Sequence, residues 1–244
     1  MNTQTRLSWS SDGQTHPGAV RSINQDSLLV RPDLGLWAVA DGMGGHEAGE
    51  VASAMVVETL EQAVHAGSLD NCMRELERAI LALNGRLRRL SHEHFNGGII
   101  GSTLVCLLAR ERRYGLLWAG DSRCYRFRQQ HLDQISRDHS EVEELLTQGR
   151  IRPDQVRGHP LSNRITRAVG AMDDLELETY CGTLRPGDLF LLCSDGLNDT
   201  LRDDDIAYFL GQSSLVDANR AMLHESLIRE ARDNVTSVLV SVHG

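Results

Sequence analysis

Basic residues are in the minority in this chain, and they are dispersed. Its 244 residues include 25 Lys and Arg against 34 Asp and Glu, which gives a formal net charge of −9. A surface that binds nucleic acid needs clustered basic side chains, and no cluster here is longer than Arg-Leu-Arg-Arg at residues 86–89. The composition therefore argues against nucleic acid as the main partner.

Long apolar runs are also missing. No run approaches the roughly 20 residues of a membrane-spanning helix, so we expect no membrane span. Residues 1–6 lack the apolar core of a signal peptide, so we expect no secretory leader. The five cysteines form no Cys-x-x-Cys pair, and Cys106, Cys181 and Cys193 lie in apolar runs. A reducing, cytoplasmic compartment fits this pattern best.

The chain contains no internal repeat, low-complexity tract or linker-like stretch. Its length suits one large domain with a substantial core rather than two domains. We therefore expect a single domain over residues 1–244.

What the sequence does contain is an apolar run that ends in an acidic residue. Residues 36–40 (Leu-Trp-Ala-Val-Ala) lead straight into Asp41 and then into Gly-Met-Gly-Gly-His at 42–46. An apolar run without helical periodicity predicts a strand buried on both faces, with Asp41 at its end. The glycines allow a sharp turn close to a ligand, and an amphipathic helix is predicted over 47–64.

The same pattern recurs, which makes a simple turn a poor explanation. Apolar runs also end near Asp121 and Asp195, and Asp233 precedes a further strand predicted over 235–242. Four carboxylates at the ends of four core strands indicate a site of metal or phosphate chemistry.

The rest of the chain predicts an α+β fold of two antiparallel sheets with helices packed outside. Over 103–135 strands follow one another without an intervening helix, which indicates antiparallel hairpins. Residues 69–90 carry an apolar stripe at helical spacing. Residues 137–171 contain a short capped helix and then several Gly and Pro, so we predict an inserted flap with a functional or mobile character.

The candidate ligands are all carboxylates, with no His or Cys cluster beside them. They are Asp26, Asp41, Asp121, Asp195, Asp199 and Asp233. Oxygen-only sites select Mg²⁺ or Mn²⁺, and close carboxylates repel each other unless cations lie between them. Two ions about 3.5–4 Å apart could bridge a water and activate it for in-line attack on phosphorus. Arg21 could hold the remaining phosphate oxygens in a bidentate grip.

Other catalytic schemes fit less well. Ser194 is not in the Gly-x-Ser-x-Gly turn of a serine hydrolase. Neither Asp41 nor Asp195 has the sequence context of an aspartyl-phosphate enzyme, and no EF-hand loop is present.

Taken together, the motifs resemble the metal-dependent Ser/Thr protein phosphatases of the PP2C (PPM) family in their compact bacterial form. They follow the family order over essentially the whole chain. The matching segments are residues 18–26 (GAVRSINQD), 41–46 (DGMGGH), 120–123 (GDSR), 159–170 (beginning His-Pro and ending in Gly), 194–197 (SDGL) and 233–234 (DN).

The resemblance implies a four-layer α-β-β-α sandwich with two core metal ions at one end of the sheets. Their ligands would be Asp41, Asp195, Asp233 and the carbonyl group of Gly42. Asp26 would support the same ions through water.

The resemblance also implies a third, weaker ion, held by Asp121 and Asp199 together with Asp195. Arg21 matches the family's phosphate-binding arginine, and residues 137–171 match the bacterial flap. The implied activity is hydrolysis of phosphoserine and phosphothreonine in proteins by a metal-bridged water, with Mn²⁺ or Mg²⁺ as cofactor.

Two positions depart from the family pattern. Met43 stands where many eukaryotic members have a histidine that is proposed as the general acid. His46 is a candidate for that role, although a capping role at the next helix is the stronger interpretation. Gln25 stands where some members have a glutamate, which removes one negative charge near the metals.

The implied partners are a bacterial Ser/Thr kinase and its phosphorylated substrates, and we expect a monomer. Residues 35–41 and the short chain resemble the members that oppose a kinase in type VI secretion control, which is a narrower hypothesis. Three rivals stay open: a catalytically dead binding module, a phosphatase for small phosphoesters and a phosphatase for anti-sigma antagonist proteins. No metal-site aspartate is missing, which disfavours the first.

Overall fold

A computed structural model of the protein describes residues 6–45, 48–94, 98–212 and 214–244. The strands within these ranges are β1 (Ser8–His16), β2 (Asp26–Arg31), β3 (Leu36–Gly44), β4 (Ile100–Ser102), β5 (Leu104–Arg110), β6 (Arg113–Ala119), β7 (Arg123–Arg128), β8 (His131–Gln134), β9 (Glu178–Thr183), β10 (Leu189–Cys193) and β11 (Val235–His243). The helices are α1 (Ala48–Ala63), α2 (Leu69–His94), α3 (Glu141–Thr147), α4 (Asp195–Asn198), α5 (Asp203–Gln212) and α6 (Leu215–Ile228). One-turn 3-10 helices lie at Pro32–Leu34 and Pro153–Gln155.

The strands form two antiparallel sheets. The first sheet has the order β1-β11-β10-β7-β8, and the second has the order β2-β3-β5-β6-β9 with the short β4 beside β3. Each neighbouring pair runs antiparallel, which confirms the hairpin pattern predicted from the sequence.

Three apolar clusters fill the spaces between four layers. Along β3, Trp37 and Val39 join the cluster between the two sheets, whereas Leu36, Ala38 and Ala40 join the cluster under α1 and α2. A third cluster lies between the first sheet and α5 and α6. This alternation explains why the β3 sequence is apolar without interruption, because both faces of the strand are buried. The predicted α-β-β-α sandwich is confirmed.

Several elements differ from the sequence-based expectation. The sequence Ser-Asp-Gly at 11–13 predicts a turn after a first strand over 7–10, but β1 continues there in register with β11. A Cβ at Gly13 would lie 2.9 Å from Val30. Glycine serves here for close packing, not for a turn. Residues 91–98 are predicted as a loop, but α2 extends to His94. The helix α5 is not predicted, because only Ile206 and Leu210 of its ten residues are buried.

The helix α2 spans 26 residues and is amphipathic. Among the described residues, no helix is both long enough and apolar enough to cross a bilayer.

Residues 137–171 form an excursion whose two ends are tied to the sheets. The helix α3 begins after Ser140, whose hydroxyl accepts the Glu143 N–H, as expected for a capped helix. At the base, the Thr166 N–H donates to the carbonyl of His139 at 2.8 Å. Further along, the N–H of Val169 donates to the carbonyl of Ser102 at 2.9 Å. Main-chain hydrogen bonds therefore hold the two ends of this segment together, next to the ends of the sheet strands.

Candidate active site

Two of the predicted aspartates face each other across β2 and β3. Asp26 and Asp41 are direct partners in the antiparallel register, so their side chains leave the sheet on the same face. The main chain of Asp41 is fixed by Thr103, whose N–H donates to the Asp41 carbonyl at 2.8 Å and whose hydroxyl accepts the Asp41 N–H at 3.0 Å. The pair is therefore presented by rigid elements.

The sequence predicted that the strand would end at Asp41, but β3 continues to Gly44. The Gly42 N–H donates to the carbonyl of Gln25 at 3.1 Å. A Cβ at Gly42 would collide with the carbonyl oxygen of Gly49 in the first turn of α1. The absent side chain thus allows α1 to begin directly against the strand that carries Asp41.

The first sheet contributes the other predicted core residues. Asp195 begins α4 immediately after β10, and Asp233 lies two residues before β11. The hydroxyl of Ser194 donates to Asp26 Oδ2 at 2.7 Å, which links the end of β10 to β2 in the other sheet. The structure therefore brings the carboxylates of both sheets to one end of the sandwich.

A cleft of about 420 Å³ lies beside this cluster. It is lined by Asp121, which follows β6, by Asp195 and by Asp199, together with side chains of the flap. The flap residue Arg157 donates to the main-chain carbonyl of Asp199 at 2.5 Å. The predicted third group of ligands therefore lies between the sheet ends and the flap.

Burial and mutual repulsion raise the pKa of these carboxyl groups. Burial, opposed in part by hydrogen bonds from Thr236 and Ser194, raises the pKa of Asp26 to about 6. Burial and the nearby Asp138 raise the pKa of Asp121 to about 7. Burial raises the pKa of Asp41 and Asp195 well above the ordinary value, and their neighbouring aspartates raise both further. The cluster therefore resists full ionisation without a compensating positive charge.

The residues present fit divalent cations. Within the described chain, Asp26 Oδ1 and Asp195 Oδ1 are buried and accept no hydrogen bond. Carboxylate oxygens are the donors that Mg²⁺ and Mn²⁺ prefer. Within the described ranges, no three His, Cys, Asp or Glu side chains are placed so that together they could hold a metal ion. The fit consequently rests on the donor atoms and their charge.

Arg21 lies at the same end and binds Asp233. Its Nε donates to Asp233 Oδ1 at 3.1 Å and its Nη2 donates to Oδ2 at 2.8 Å. This pairing raises the pKa of Arg21, and the carboxylates of Asp195 and Asp41 add to the effect. About half of the Arg21 side chain is exposed, so the guanidinium is accessible to a ligand. Its role in phosphate binding stays a prediction.

Sequence reasoning gave Asn234 no role, but it organises the segment that carries Arg21. Its side-chain amide donates to the carbonyls of Pro17 and Ile23 at 3.0 and 2.9 Å. Its side-chain oxygen accepts the Gln25 N–H at 2.8 Å. Residues 17–25 are thereby tied to the residue after Asp233. The Asp-Asn pair at 233–234 was noted in the sequence, but only Asp233 was given a functional role.

A partly buried ion pair beside Asp121 was also missed. Arg123 Nε and Nη2 bind both carboxylate oxygens of Asp138 at 2.7–3.0 Å, and Arg123 Nη1 donates to the Tyr125 hydroxyl at 2.9 Å. Asp138 lies at the start of the flap and lines the same cleft as Asp121. No local spacing in the sequence joins these residues, because the contact depends on the tertiary fold.

His139 was missed for the same reason. Its main-chain N–H donates to the carbonyl of Gly120 at 2.9 Å, and its Nδ1 accepts the N–H of Gly120 at 3.2 Å. Since Nδ1 accepts, Nε2 carries the ring proton and donates to Glu178 at 2.8 Å. The ring also stacks on Trp118 with 6.2 Å between centroids. His139 therefore clamps the peptide that precedes Asp121; we call these contacts the His139 clamp.

The general acid is not assigned by this geometry. Met43 lies in β3, where its thioether cannot supply a proton. His46, the alternative considered from the sequence, lies outside the described residues.

Comparisons with known proteins agree with the geometry. The family model described as Protein phosphatase 2C matches residues 14–229. Serine/threonine protein phosphatase PstP of Mycobacterium tuberculosis is 35% identical over 225 residues, which cover 92% of this chain and 43% of PstP. The chain thus spans less than half of that relative. Serine/threonine phosphatase Stp of Listeria monocytogenes is 30% identical over 235 residues, with 93% of each chain covered.

Solved structures give the same result. PppA, described as a key regulatory component of the T6SS in Pseudomonas aeruginosa, has a TM-score of 0.89 at 42% identity, with 96% of this chain and 98% of PppA covered. The catalytic domain of PstP in complex with two manganese ions has a TM-score of 0.87 at 32% identity, with 98% of this chain and 100% of that domain covered.

Proposed function

Because this chain belongs to the protein phosphatase 2C family, as its motifs predicted, we propose that it is a metal-dependent phosphatase for phosphoserine and phosphothreonine in proteins. The observation that carries the proposal is the convergence of buried carboxylates from both sheets beside Arg21. A dead binding module would not need to retain this costly arrangement, in which buried like charges oppose each other.

The proposed ligands of two core ions are Asp41, Asp195, Asp233 and the Gly42 carbonyl, with Asp26 supporting them. Asp121 and Asp199, together with Asp195, are the proposed ligands of a weaker third ion. When bound, Mn²⁺ or Mg²⁺ supplies Lewis acidity, which offsets the carboxylate charge and acidifies a water for attack on phosphorus.

The protein's own residues position the substrate. The guanidinium of Arg21 donates to Asp233 through Nε and Nη2 in this structure, and its planar fork of donors would match a phosphate dianion once Asp233 binds a cation instead. Asn234 keeps the Arg21 segment in a fixed relation to Asp233. A phosphate held by Arg21 would therefore face the carboxylate cluster from a constant direction, which favours in-line attack.

The proposed substrates are proteins phosphorylated by a Ser/Thr kinase, with the flap at 137–171 contributing to their selection. The similarity to PppA supports a narrower hypothesis, a role opposite a kinase in control of type VI secretion. A small phosphoester remains the alternative substrate, because it could use the same carboxylates.

The test is hydrolysis of a phosphothreonine peptide with Mn²⁺, with Mg²⁺ and with EDTA. We expect turnover only with a divalent ion and no covalent phosphate on the protein. Full activity in EDTA, or a trapped phosphoenzyme, would exclude the proposal. Efficient turnover of small phosphoesters together with inert phosphopeptides would favour the alternative.

A further inference from the structure

The helix α2 buries a polar side chain within an apolar face. Between Leu76 and Leu87 its buried residues are apolar except for Asn84, which is 5% exposed. Burying an amide group is costly unless the group is hydrogen-bonded, whereas a buried leucine at the same place would be favourable. Packing alone therefore does not explain Asn84.

The side-chain amide of Asn84 holds the end of the flap. Its oxygen accepts the Gly170 N–H at 2.6 Å, and its nitrogen donates to the Met172 carbonyl at 2.9 Å. Gly170 has a φ of +89°, and a Cβ there would lie 2.4 Å from the carbonyl oxygen of Ile100 in β4. The end of the flap therefore lies directly against β4, which a side chain at this position would prevent.

The end of the flap also pairs with β4. The N–H of Ser102 donates to the carbonyl of Val169, and the N–H of Val169 donates to the carbonyl of Ser102, both at 2.9 Å. On the other side of β4, Ser102 lies opposite Gly42 of β3. Ser102 and Val169 are both fully buried. The three-residue strand β4 is thus held between β3 and the flap.

The strand β4 in turn holds the segment that carries two of the proposed core ligands. It pairs in register with residues 42–44, and the Ser102 hydroxyl donates to the main-chain carbonyl of Asp41 at 3.0 Å. A path of hydrogen bonds therefore leads from Asn84, through the end of the flap and β4, to Asp41 and Gly42.

We propose that Asn84 is a positioning residue for the core metal ligands, on which it acts by fixing the end of the flap against β4. Ligands that are held in place before an ion arrives bind it more tightly, because less conformational entropy is lost on binding. Coupling of this kind is reciprocal, so bound ions should also stabilise the end of the flap. The ions themselves rest on the proposed function, whereas the hydrogen bonds need neither metal nor substrate.

The first test is Asn84→Leu, which keeps a side chain of similar size and removes both hydrogen bonds. The Gly170 N–H and the Met172 carbonyl are then left without their partner. We expect the dissociation constant of Mn²⁺ at the core pair to rise about tenfold, the effect of roughly one lost buried hydrogen bond. Electron paramagnetic resonance measures the free Mn²⁺ in the absence of substrate.

The matched control is Asn219→Leu. Asn219 is also fully buried, and its side chain donates to the Asp12 carboxylate at 2.8 Å and accepts the Ser237 hydroxyl at 2.6 Å. It lies on α6, which packs on the first sheet, whereas α2 packs on the second. Both variants should unfold at lower urea concentrations, because both leave buried polar groups unpaired. Only Asn84→Leu should lose Mn²⁺ affinity.

Amide hydrogen exchange follows the end of the flap directly. In the wild type we expect Mn²⁺ to slow exchange over 100–102 and 166–172, because these segments contain the N–H groups of Ser102, Val169 and Gly170. In EDTA, Asn84→Leu should exchange faster than the wild type over both segments, and Asn219→Leu should not. If Asn84→Leu does not fold, the effect of Mn²⁺ on exchange in the wild type decides.

Equal Mn²⁺ dissociation constants for Asn84→Leu and Asn219→Leu would overturn the positioning role. Exchange over 166–172 that does not respond to Mn²⁺ in the wild type would also overturn it. Tight Mn²⁺ binding by a wild type that does not hydrolyse phosphopeptides would count against the phosphatase proposal alone. A wild type that binds no Mn²⁺ would overturn both.

Discussion

The carboxylates of the candidate active site fall into two proposed groups that single substitutions can separate. Asp41 lies beside Asp26 in the proposed core group, whereas Asp121 lines the cleft with Asp199. We expect Asp41→Asn to lower kcat by at least about a thousandfold, because the attacking water would lose its activation. Asp121→Asn should retain two tightly bound Mn²⁺ per chain and lose part of its kcat.

Calorimetric titration with Mn²⁺, run beside steady-state kinetics, decides this prediction. An Asp121→Asn enzyme with wild-type turnover at every Mn²⁺ concentration would remove the support for a third ion. Loss of both tight ions in the same variant would place Asp121 in the core group.

Arg21 offers a second prediction at this scale. Arg21→Ala should raise the KM of a phosphothreonine peptide by about tenfold or more, since a bidentate contact to the dianion is lost. The stoichiometry of tightly bound Mn²⁺ should not change. The neighbouring Arg232→Ala is the control, because Arg232 is exposed and lines the adjoining cleft. Similar kinetics for both variants would show that Arg21 pairs with Asp233 and does not contribute to phosphate binding.

At the residue scale, sequence reasoning identified the side chains whose chemistry is unusual for their position. An aspartate at the end of an apolar run, such as Asp195, stands out because burial of its charge is costly. Asp138, His139 and Asn234 did not stand out, because polar residues in loops are common. Their roles come from contacts with residues that are distant in the sequence, such as Arg123 and Pro17.

The His139 clamp connects the base of the flap to the proposed third metal group. His139→Phe would keep the stacking on Trp118 but lose the acceptor for the Gly120 N–H and the donor to Glu178. We expect Asp121 to become less ordered and the Mn²⁺ concentration for half-maximal activity to rise about tenfold, the effect of roughly one lost buried hydrogen bond. His139→Asn, which restores an acceptor, should recover most of the affinity.

Direct Mn²⁺ binding by electron paramagnetic resonance separates this role from a loss of stability. If His139→Phe and His139→Asn bind Mn²⁺ equally, the hydrogen bond to Gly120 does not position Asp121. A mere loss of folding would reduce all metal sites together.

At the level of elements, prediction succeeded where one physical rule dominated. The continuous apolar run of β3 is dictated by burial on two faces. The end of β1 was placed wrongly because Ser-Asp-Gly at 11–13 is also a common turn sequence. Pairing of nine residues with β11 outweighed this local preference. The helix α5 has two buried residues and therefore a weak pattern.

The stability of the whole molecule without metal should depend on pH in an unusual direction. The pKa of Asp26 is raised to about 6 and that of Asp121 to about 7, from an ordinary value of 3.8. The folded state therefore holds these protons more tightly than the unfolded state. Their contribution is fully present below pH 3.8 and is lost as the pH rises through 6 to 7.

We expect the free energy of unfolding in EDTA to fall by on the order of 5 kcal/mol between about pH 4.5 and about pH 7.5. Urea denaturation at both pH values measures this change. Excess Mn²⁺ at the higher pH should restore the loss, since cations replace the protons. A stability in EDTA that rises over this range would contradict the prediction.

The division of the carboxylates between the two sheets has a mechanical consequence. Asp26 and Asp41 lie on strands of the second sheet, whereas Asp195 and Asp233 lie next to the ends of strands of the first. The distances between the candidate ligands therefore depend on how the two sheets pack against each other. A cavity made between the sheets, for example by Phe190→Ala, would let them slide and would reach the ligands as a change in metal affinity. The hydrophobic core thus sets the geometry of the proposed metal centre, and mutations far from the cleft should change its metal affinity without altering a candidate ligand.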